Sequence, residues 1–192
     1  MVRQYPAQSD YLDAILKDLN LFGINGDGGT DKGTDHSYTG MYEEIFTPYF
    51  DKPVDLLEIG VYQGGSLALW SKAFGLANIT GVDIHDQIKF GAQKYFEDVE
   101  IVIGDAYNPN TLAGREWDIV IDDGPHTYES FVSCIQVYLP RIRKGGILVI
   151  EDIQTRGQLD HLVEFCSDYS VEAVDLRHHK NRHDDLVLIV RK

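Results

Sequence analysis

The chain has 192 residues, enough for one compact domain and too few for two at the usual scale of about 100 to 200 residues each. Hydrophobic residues make up 43% and charged residues 25%, which supplies a core and excludes a disordered or collagen-like chain. With 17 Lys and Arg against 31 Asp and Glu the formal charge is −14, so phosphate backbones and anionic membranes are repelled, and neither nucleic acid nor a membrane is an expected partner.

Residues 1–20 form an Asp-bearing amphipathic stretch without the basic start of a signal peptide. No apolar run approaches the roughly 20 residues of a membrane span, so a cytoplasmic location is expected. Cys134 and Cys166 are too few for a disulfide framework and are expected as buried thiols. Leu12, Ile15, Leu16 and Leu19 recur at helical spacing and predict a helix over 11–22, stopped by Gly23. Residues 25–38, NGDGGTDKGTDHSY, have no period and predict a loop or lid leading into a helix over 41–50. This first part, residues 1–52, precedes a core over 53–192, the two making one compact domain.

In the core, apolar runs at 54–60, 78–84, 99–105, 117–123 and 145–152 alternate with helix-length segments, the pattern of a parallel sheet with helices on both faces. The runs at 171–176 and 184–190 are separated by a short polar loop, which predicts a closing antiparallel hairpin and a seven-stranded α/β sheet. The first core run ends in Glu58-x-Gly60-x-x-x-Gly64, a glycine turn entering a helix, where a ligand can lie close to bare backbone. An acid before the turn, and a spacing other than G-x-G-x-x-G, argue against a pyrophosphate. Asp83 ends the second run, where a carboxylate can take both hydroxyls of a ribose. Gly104-Asp105-Ala106 ends the third, where an acceptor can take the amino group of a base.

On Glu58, Gly60, Gly64, Asp83 and Gly104-Asp105-Ala106 the chain resembles the class I S-adenosylmethionine-dependent methyltransferases, from Pro53 to the C-terminus. The resemblance implies a Rossmann-like fold, S-adenosylmethionine as cofactor, Glu58, Gly60 and Gly64 at its methionine end, Asp83 on the ribose, and Asp105 with Ala106 at the adenine.

The fourth run ends in Asp122-Asp123-Gly124-Pro125-His126 and the fifth in Glu151-Asp152, so four carboxylates are expected at one sheet edge. Such a concentration of charge calls for a cation, and oxygen ligands suit Mg²⁺ or Ca²⁺. Three carboxylates would leave positions on Mg²⁺ for two substrate oxygens, as in a vicinal diol. His126, three residues past Asp123, is placed to take a proton from a hydroxyl there.

With this second set the chain is similar to the macrocin and mycinamicin sugar O-methyltransferases and the related cephalosporin-hydroxylase-like group, through residues 30–36 (TDKGTDH), Asp122-Asp123-x-x-His126 and Glu151-Asp152. The resemblance implies Mg²⁺ on Asp123, Glu151 and Asp152, His126 as the base, Asp122 beside the cofactor, and methylation of a sugar hydroxyl in a glycoside or glycan. In that setting Lys32 is expected at the methionine carboxylate. His36, Tyr38, Tyr42, Tyr128, and Arg177 and His179 of the basic stretch 177–183 are expected to face the acceptor. A homo-oligomer and a place within a larger multidomain glycan-modifying protein are both compatible with the sequence. Two other classes stay open: an oxidoreductase of the cephalosporin-hydroxylase kind, although no dinucleotide glycine spacing is present, and a non-catalytic cofactor-binding module of a larger biosynthetic complex.

Overall fold

The computed structural model describes residues 3–96 and 98–192, so the first two residues of the N-terminal stretch, part of the expected 1–52 segment, lie outside the described residues. Before the sheet come α1 (Asp10–Asp18) and α2 (Thr39–Phe46). The core then runs β1 (Asp55–Ile59), α3 (Gly65–Ala73), β2 (Asn78–Asp83), α4 (Phe90–Gln93), β3 (Glu100–Ile103) and β4 (Trp117–Asp122). It closes with α5 (Tyr128–Tyr138), β5 (Ile142–Ile150), α6 (Arg156–Phe165), β6 (Ser170–Asp175), α7 (Arg177–Lys180) and β7 (Leu186–Arg191).

The seven strands lie in the order β3-β2-β1-β4-β5-β7-β6, with β7 antiparallel to both neighbours and the other pairings parallel. This is the expected architecture, except that the β6–β7 connection carries the short helix α7 in place of a plain loop. Because β4 returns beside β1 after β3 has been laid on the far side, the strand order reverses between β1 and β4. That is the place where an open α/β sheet leaves a crevice beyond its carboxyl ends.

Alternation with a period of two assigns the strand residues to two cores. Leu56, Ile119, Ile121, Ile147, Val149 and Ile189 pack with α1, α2 and α3. Leu57, Val120, Leu148, Ile150, Leu188 and Val190 pack with α5 and α6. Ser9 starts α1 by accepting the Leu12 N–H, and Leu12 and Leu16 are its fully buried stripe. The helix ends at Asp18, four residues before the expected end at residue 22, because Asn20 already takes the left-handed conformation that closes a helix. The second helix likewise ends at Phe46 rather than residue 50.

The Gly-rich segment departs most from expectation. Only residues 24–27 and Asp35 are exposed; Gly28 to Thr30, Lys32, Gly33 and His36 to Tyr38 are buried. Side chains are missing where the segment needs close approach, since a Cβ on Gly65 would strike the Gly29 backbone and one on Gly40 the Pro6 carbonyl. Lys180 Nζ, from α7, donates to the carbonyls of Gly33 (3.3 Å), Thr34 and His36 (2.7 Å). Residues 28–38 therefore form an inner layer of the domain and not a lid.

The fold rests on apolar burial in the central strands. Leu148→Ala, at a position with no exposure in the middle of the sheet, is expected to cost about 2–5 kcal/mol. Phe165→Ala, at the half-exposed end of α6, should stay within about 1 kcal/mol, both values being read from urea midpoints at constant m-value.

Candidate functional site

The carboxyl ends of β1 to β4 and the first residues past β5 enclose a cleft of about 670 Å³. One wall is apolar, built from Ile59, Val82, Ile84 and Ala106, with Asp83 and Asp105 along it; the other carries Asp123, His126 and Asp152. Gly60 joins them: it sits at φ +84, and a Cβ there would collide with the Asp123 carbonyl. Asp83 ties the glycine turn to β2, its Oδ2 accepting the N–H groups of Val61 (3.0 Å) and Tyr62 (2.9 Å) and its Oδ1 that of His85 (2.9 Å). Asp105 is exposed and uses Oδ1 to accept the Tyr107 N–H at 2.9 Å.

The acidic wall follows from strand register. Asp122 is opposite Ile59 and Ile150, the Asp123 N–H donates to Ile59 O at 2.9 Å, and the Glu151 N–H donates to Asp122 O at 3.0 Å, so the residues past β4 and β5 are side by side. Lys32 Nζ lies among them, 2.7 Å from Asp123 Oδ2, 2.6 Å from Glu151 Oε2 and 3.9 Å from Glu58 Oε1. Its ammonium is 1% exposed. Burial alone would lower its pKa, but the three carboxylates raise it well above the ordinary lysine value. Asp123 would be raised by burial, yet Lys32 and the hydrogen bond with His126 outweigh this and hold it at about 2. Glu58, buried and near Asp123, is pushed up to about 7 despite Lys32.

His126 Nε2 lies 3.3 Å from Asp123 Oδ1 and 3.6 Å from Asp152 Oδ2. Burial opposes its positive charge, but the bond to Asp123 and the fields of Asp152 and Asp123 raise its pKa. Tyr38 donates to Asp152 Oδ1 at 2.5 Å, and Tyr42 donates to Glu151 Oε1. His36 Nδ1 is 2.7 Å from the fully buried Asp185 and 3.5 Å from Asp152 Oδ1. Both His126 and Asp152 have left-handed backbones, φ +55 and +54, as does Tyr62 on the same cleft at +45.

Gly60, Asp83, Asp105, Ala106, Asp123, His126 and Asp152 thus share one cleft. Other expected site residues do not line it. Glu58 points toward α3 and accepts from Ser66 Oγ (2.8 Å) and Trp70 Nε1 (3.1 Å), because it stands one residue before the strand end on that face. Gly64 is buried against Phe96 and Ile88 at the start of α3. Asp122 faces α5, accepts from Tyr107 Oη at 2.7 Å, and is raised to about 6 chiefly by burial. Lys32 is committed to carboxylates and not to the cleft. Glu151 has both oxygens engaged by Lys32 and Tyr42, which removes it from the set of free ligands.

His36, Tyr38 and Tyr42 are buried behind the acidic wall rather than facing an acceptor. Tyr128 is half-buried, edge-on to His161. Arg177 is paired with Asp175 at 2.7 Å, and His179 meets the Tyr5 carbonyl at 3.1 Å, both outside the cleft. Conversely, Ile24, Asp31, Tyr62, His85 and Tyr107 line the cleft without having been expected there. Tyr107 had a readable signal, since it directly follows Gly104-Asp105-Ala106.

The two aspartates of the acidic wall fit one hard divalent cation. Asp123, His126 and Asp152 present ligand atoms that all lie within 4.8 Å of one another, and each aspartate has one oxygen held from behind and the other turned to the cleft. A second group with such spacing among the described residues, His36, Asp184 and Asp185, also combines one imidazole with two carboxylates. Neither pairs two histidines with one carboxylate, the donor set of non-haem iron oxygenases.

Comparison with known proteins bears on this cleft. The chain is 37% identical over 139 residues to 8-demethyl-8-alpha-L-rhamnosyl tetracenomycin-C 2'-O-methyltransferase of Streptomyces olivaceus, covering 66% of this chain and 36% of the relative. It is 37% identical over 135 residues to demethylmacrocin O-methyltransferase of Streptomyces fradiae, covering 64% and 33%. The chain thus spans about a third of the length of these curated relatives. A solved structure of MycE methyltransferase from the mycinamycin biosynthetic pathway, in complex with Mg, SAH and mycinamycin VI, matches with a TM-score of 0.68. At 24% identity over 96% of this chain and 55% of that one, this likeness establishes the fold. A family described as a methyltransferase domain matches residues 57–153, half of the sequence and the stretch that runs from β1 through the cleft to just past Asp152; the chain belongs to that family.

Proposed function

We propose that this chain transfers the methyl group of S-adenosylmethionine to a hydroxyl of a sugar carrying adjacent oxygens, in a glycoside or glycan, with Mg²⁺ as the docking ion. The observation that carries the reading is the joining, in one cleft, of an apolar wall bearing Asp83 and Asp105 to a wall bearing Asp123, His126 and Asp152. The named sugar O-methyltransferases among the relatives, and the MycE complex with Mg and SAH, support the choice of donor, metal and acceptor class. The charge of −14, with no helix among the described residues long and apolar enough to cross a membrane, supports a small-molecule or glycan acceptor.

On this reading Asp105 takes the adenine amine with its free oxygen. Asp83, whose carboxylate already accepts three N–H groups of the turn, offers the remaining acceptor site on Oδ1 to one ribose hydroxyl. Asp123 Oδ1 and Asp152 Oδ2 are the oxygens turned toward a metal, and Glu151 serves by anchoring Lys32. When bound, Mg²⁺ would dock two acceptor oxygens and make the attacking hydroxyl more acidic. With the ion on Asp123 Oδ1 and Asp152 Oδ2, His126 Nε2 would no longer donate to those oxygens and would be free to receive the hydroxyl proton as the acceptor oxygen attacks the methyl carbon. The carbon–sulfur bond breaks as the carbon–oxygen bond forms, sulfur keeps the electron pair, and Asp123 and Asp152 stabilise the imidazolium until its proton passes to solvent.

Three measurements test this. Methyl transfer from labelled S-adenosylmethionine to a panel of glycosides should stop in excess EDTA and return with Mg²⁺, while S-adenosylhomocysteine still binds by calorimetry; undiminished transfer after verified metal removal overturns the metal role. Asp105→Ala should weaken S-adenosylhomocysteine roughly tenfold or more, corresponding to about 1.5–3 kcal/mol for one charge-assisted bond. His126→Ala should lower kcat by about 10² to 10⁴ with cofactor affinity nearly intact; wild-type turnover would assign the base to another residue.

A further inference from the structure

Asp152 stands one residue farther from its strand than Asp123 does from its own. It follows the end of β5 by two residues and its backbone is left-handed at φ +54, so the strand does not dictate where its carboxylate points. Its two oxygens nevertheless have different environments. Oδ1 faces the interior and accepts the Tyr38 hydroxyl at 2.5 Å, with His36 Nδ1 at 3.5 Å; Oδ2 faces His126 Nε2 at 3.6 Å. Asp123 follows the same plan, with Oδ2 held by Lys32 and Oδ1 turned to His126.

Tyr38 is itself rigid. It has no exposure, its ring stacks on His36 with centroids 4.7 Å apart, and His36 is fixed by Asp185 at 2.7 Å. Lys180 holds the carbonyls of Gly33 and His36 and thereby fixes the segment that delivers the tyrosine.

We infer that Tyr38 is a positioning residue: by holding the inner oxygen of Asp152 it presents the outer oxygen, alone, to the cation that docks the acceptor. The inference rests on the metal-dependent reading above. Mg²⁺ demands near-ideal octahedral geometry, and a carboxylate free to turn would offer either or both oxygens at varying angles. With one oxygen fixed, Asp152 contributes a single donor in a set direction and leaves positions for substrate. Outer hydrogen bonds of this kind are worth about 10- to 100-fold in metal affinity in known sites.

The test compares two tyrosine-to-phenylalanine variants in the intact chain. Tyr38→Phe removes the hydroxyl that serves Asp152 and lies 3.5 Å from the Asp184 carbonyl. Tyr5→Phe removes a part-buried hydroxyl that donates to a carboxylate far from the cleft, Glu172, at 2.7 Å. Mn²⁺ affinity is measured by electron paramagnetic resonance titration, S-adenosylhomocysteine affinity by calorimetry, and folding by thermal melts. Tyr38→Phe should weaken Mn²⁺ by tenfold or more with S-adenosylhomocysteine binding unchanged, and Tyr5→Phe should leave Mn²⁺ affinity within twofold whatever its effect on the melting temperature. Wild-type Mn²⁺ affinity in a folded Tyr38→Phe protein, or equal losses in both variants, overturns the positioning role. A wild-type protein that binds no Mn²⁺ overturns the metal-dependent reading itself, and this role with it. Should Tyr38→Phe fail to fold, His36→Gln, which loosens the support of the same ring, must show the same selective loss of Mn²⁺ or the inference falls.

Discussion

A single buried ammonium holds the functional end of this sheet together. The parallel strands β1, β4 and β5 deliver Glu58, Asp123 and Glu151 to one face, and Lys32 Nζ reaches all three from the inner segment. Taking even one unpaired carboxylate out of water costs several kcal/mol, so three on neighbouring strands would hold the sheet edge open. Lys32 offsets that cost, and its other contacts follow. Residues 28–38 must be buried for the lysine to reach, their glycines must allow close backbone approach, and Lys180 must close over the exposed carbonyls of the turn. A substitution such as Lys32→Met would therefore damage folding before it damaged chemistry.

The sheet was legible from the sequence because its signal is local and repeated: seven apolar runs, turn residues between them, and acids where the strands stop. The carboxylates of the cleft were legible for the same reason, since strand ends fall at predictable places. What misled was the assumption that neighbouring acids share an environment. Asp122 and Asp123 are adjacent, but a period of two sends the first toward Tyr107 and α5 and the second toward Lys32. Glu151 and Asp152 divide likewise between interior and cleft. The alternation of Glu58, Asp123 and Glu151 on one face was present in the apolar pattern around them. The position of Lys32 was not, because a Gly-rich segment without periodicity carries no information on which layer of the fold it joins. For the same reason Tyr38 and His36 read as acceptor contacts when they are supports.

Backbone strain marks the boundary of the cleft. Non-glycine residues with positive φ are uncommon, and three of the five among the described residues, Tyr62, His126 and Asp152, line it. Each stands two to four residues past a strand end, where the chain would otherwise continue away from the sheet edge. The left-handed turn returns His126 Nε2 and Asp152 Oδ2 to within 3.6 Å of one another. Such conformations cost about 1–3 kcal/mol each and persist only where surrounding contacts over-determine them. At Asp152 those contacts come from Tyr38 and His36; at His126 they come from Asp123 and from the Thr127 capping box that starts α5 immediately afterward.

The charge of the cleft also bears on turnover under the proposed reaction. Asp83, Asp105, Asp123 and Asp152 all line it; the ion of that reaction would neutralise Asp123 and Asp152, so the charge facing the donor is that of Asp83 and Asp105. The donor enters as a sulfonium cation and leaves as a neutral thioether, so the field of these carboxylates favours the reactant over the product. Lys32 does not cancel this preference, because its ammonium lies behind the wall with its charge directed at Glu151 and the inner oxygen of Asp123. The same arrangement that lets the strand ends close, a cation on the interior side and free carboxylate oxygens on the solvent side, therefore keeps the acidic wall available to the ion and leaves the donor to the field of Asp83 and Asp105.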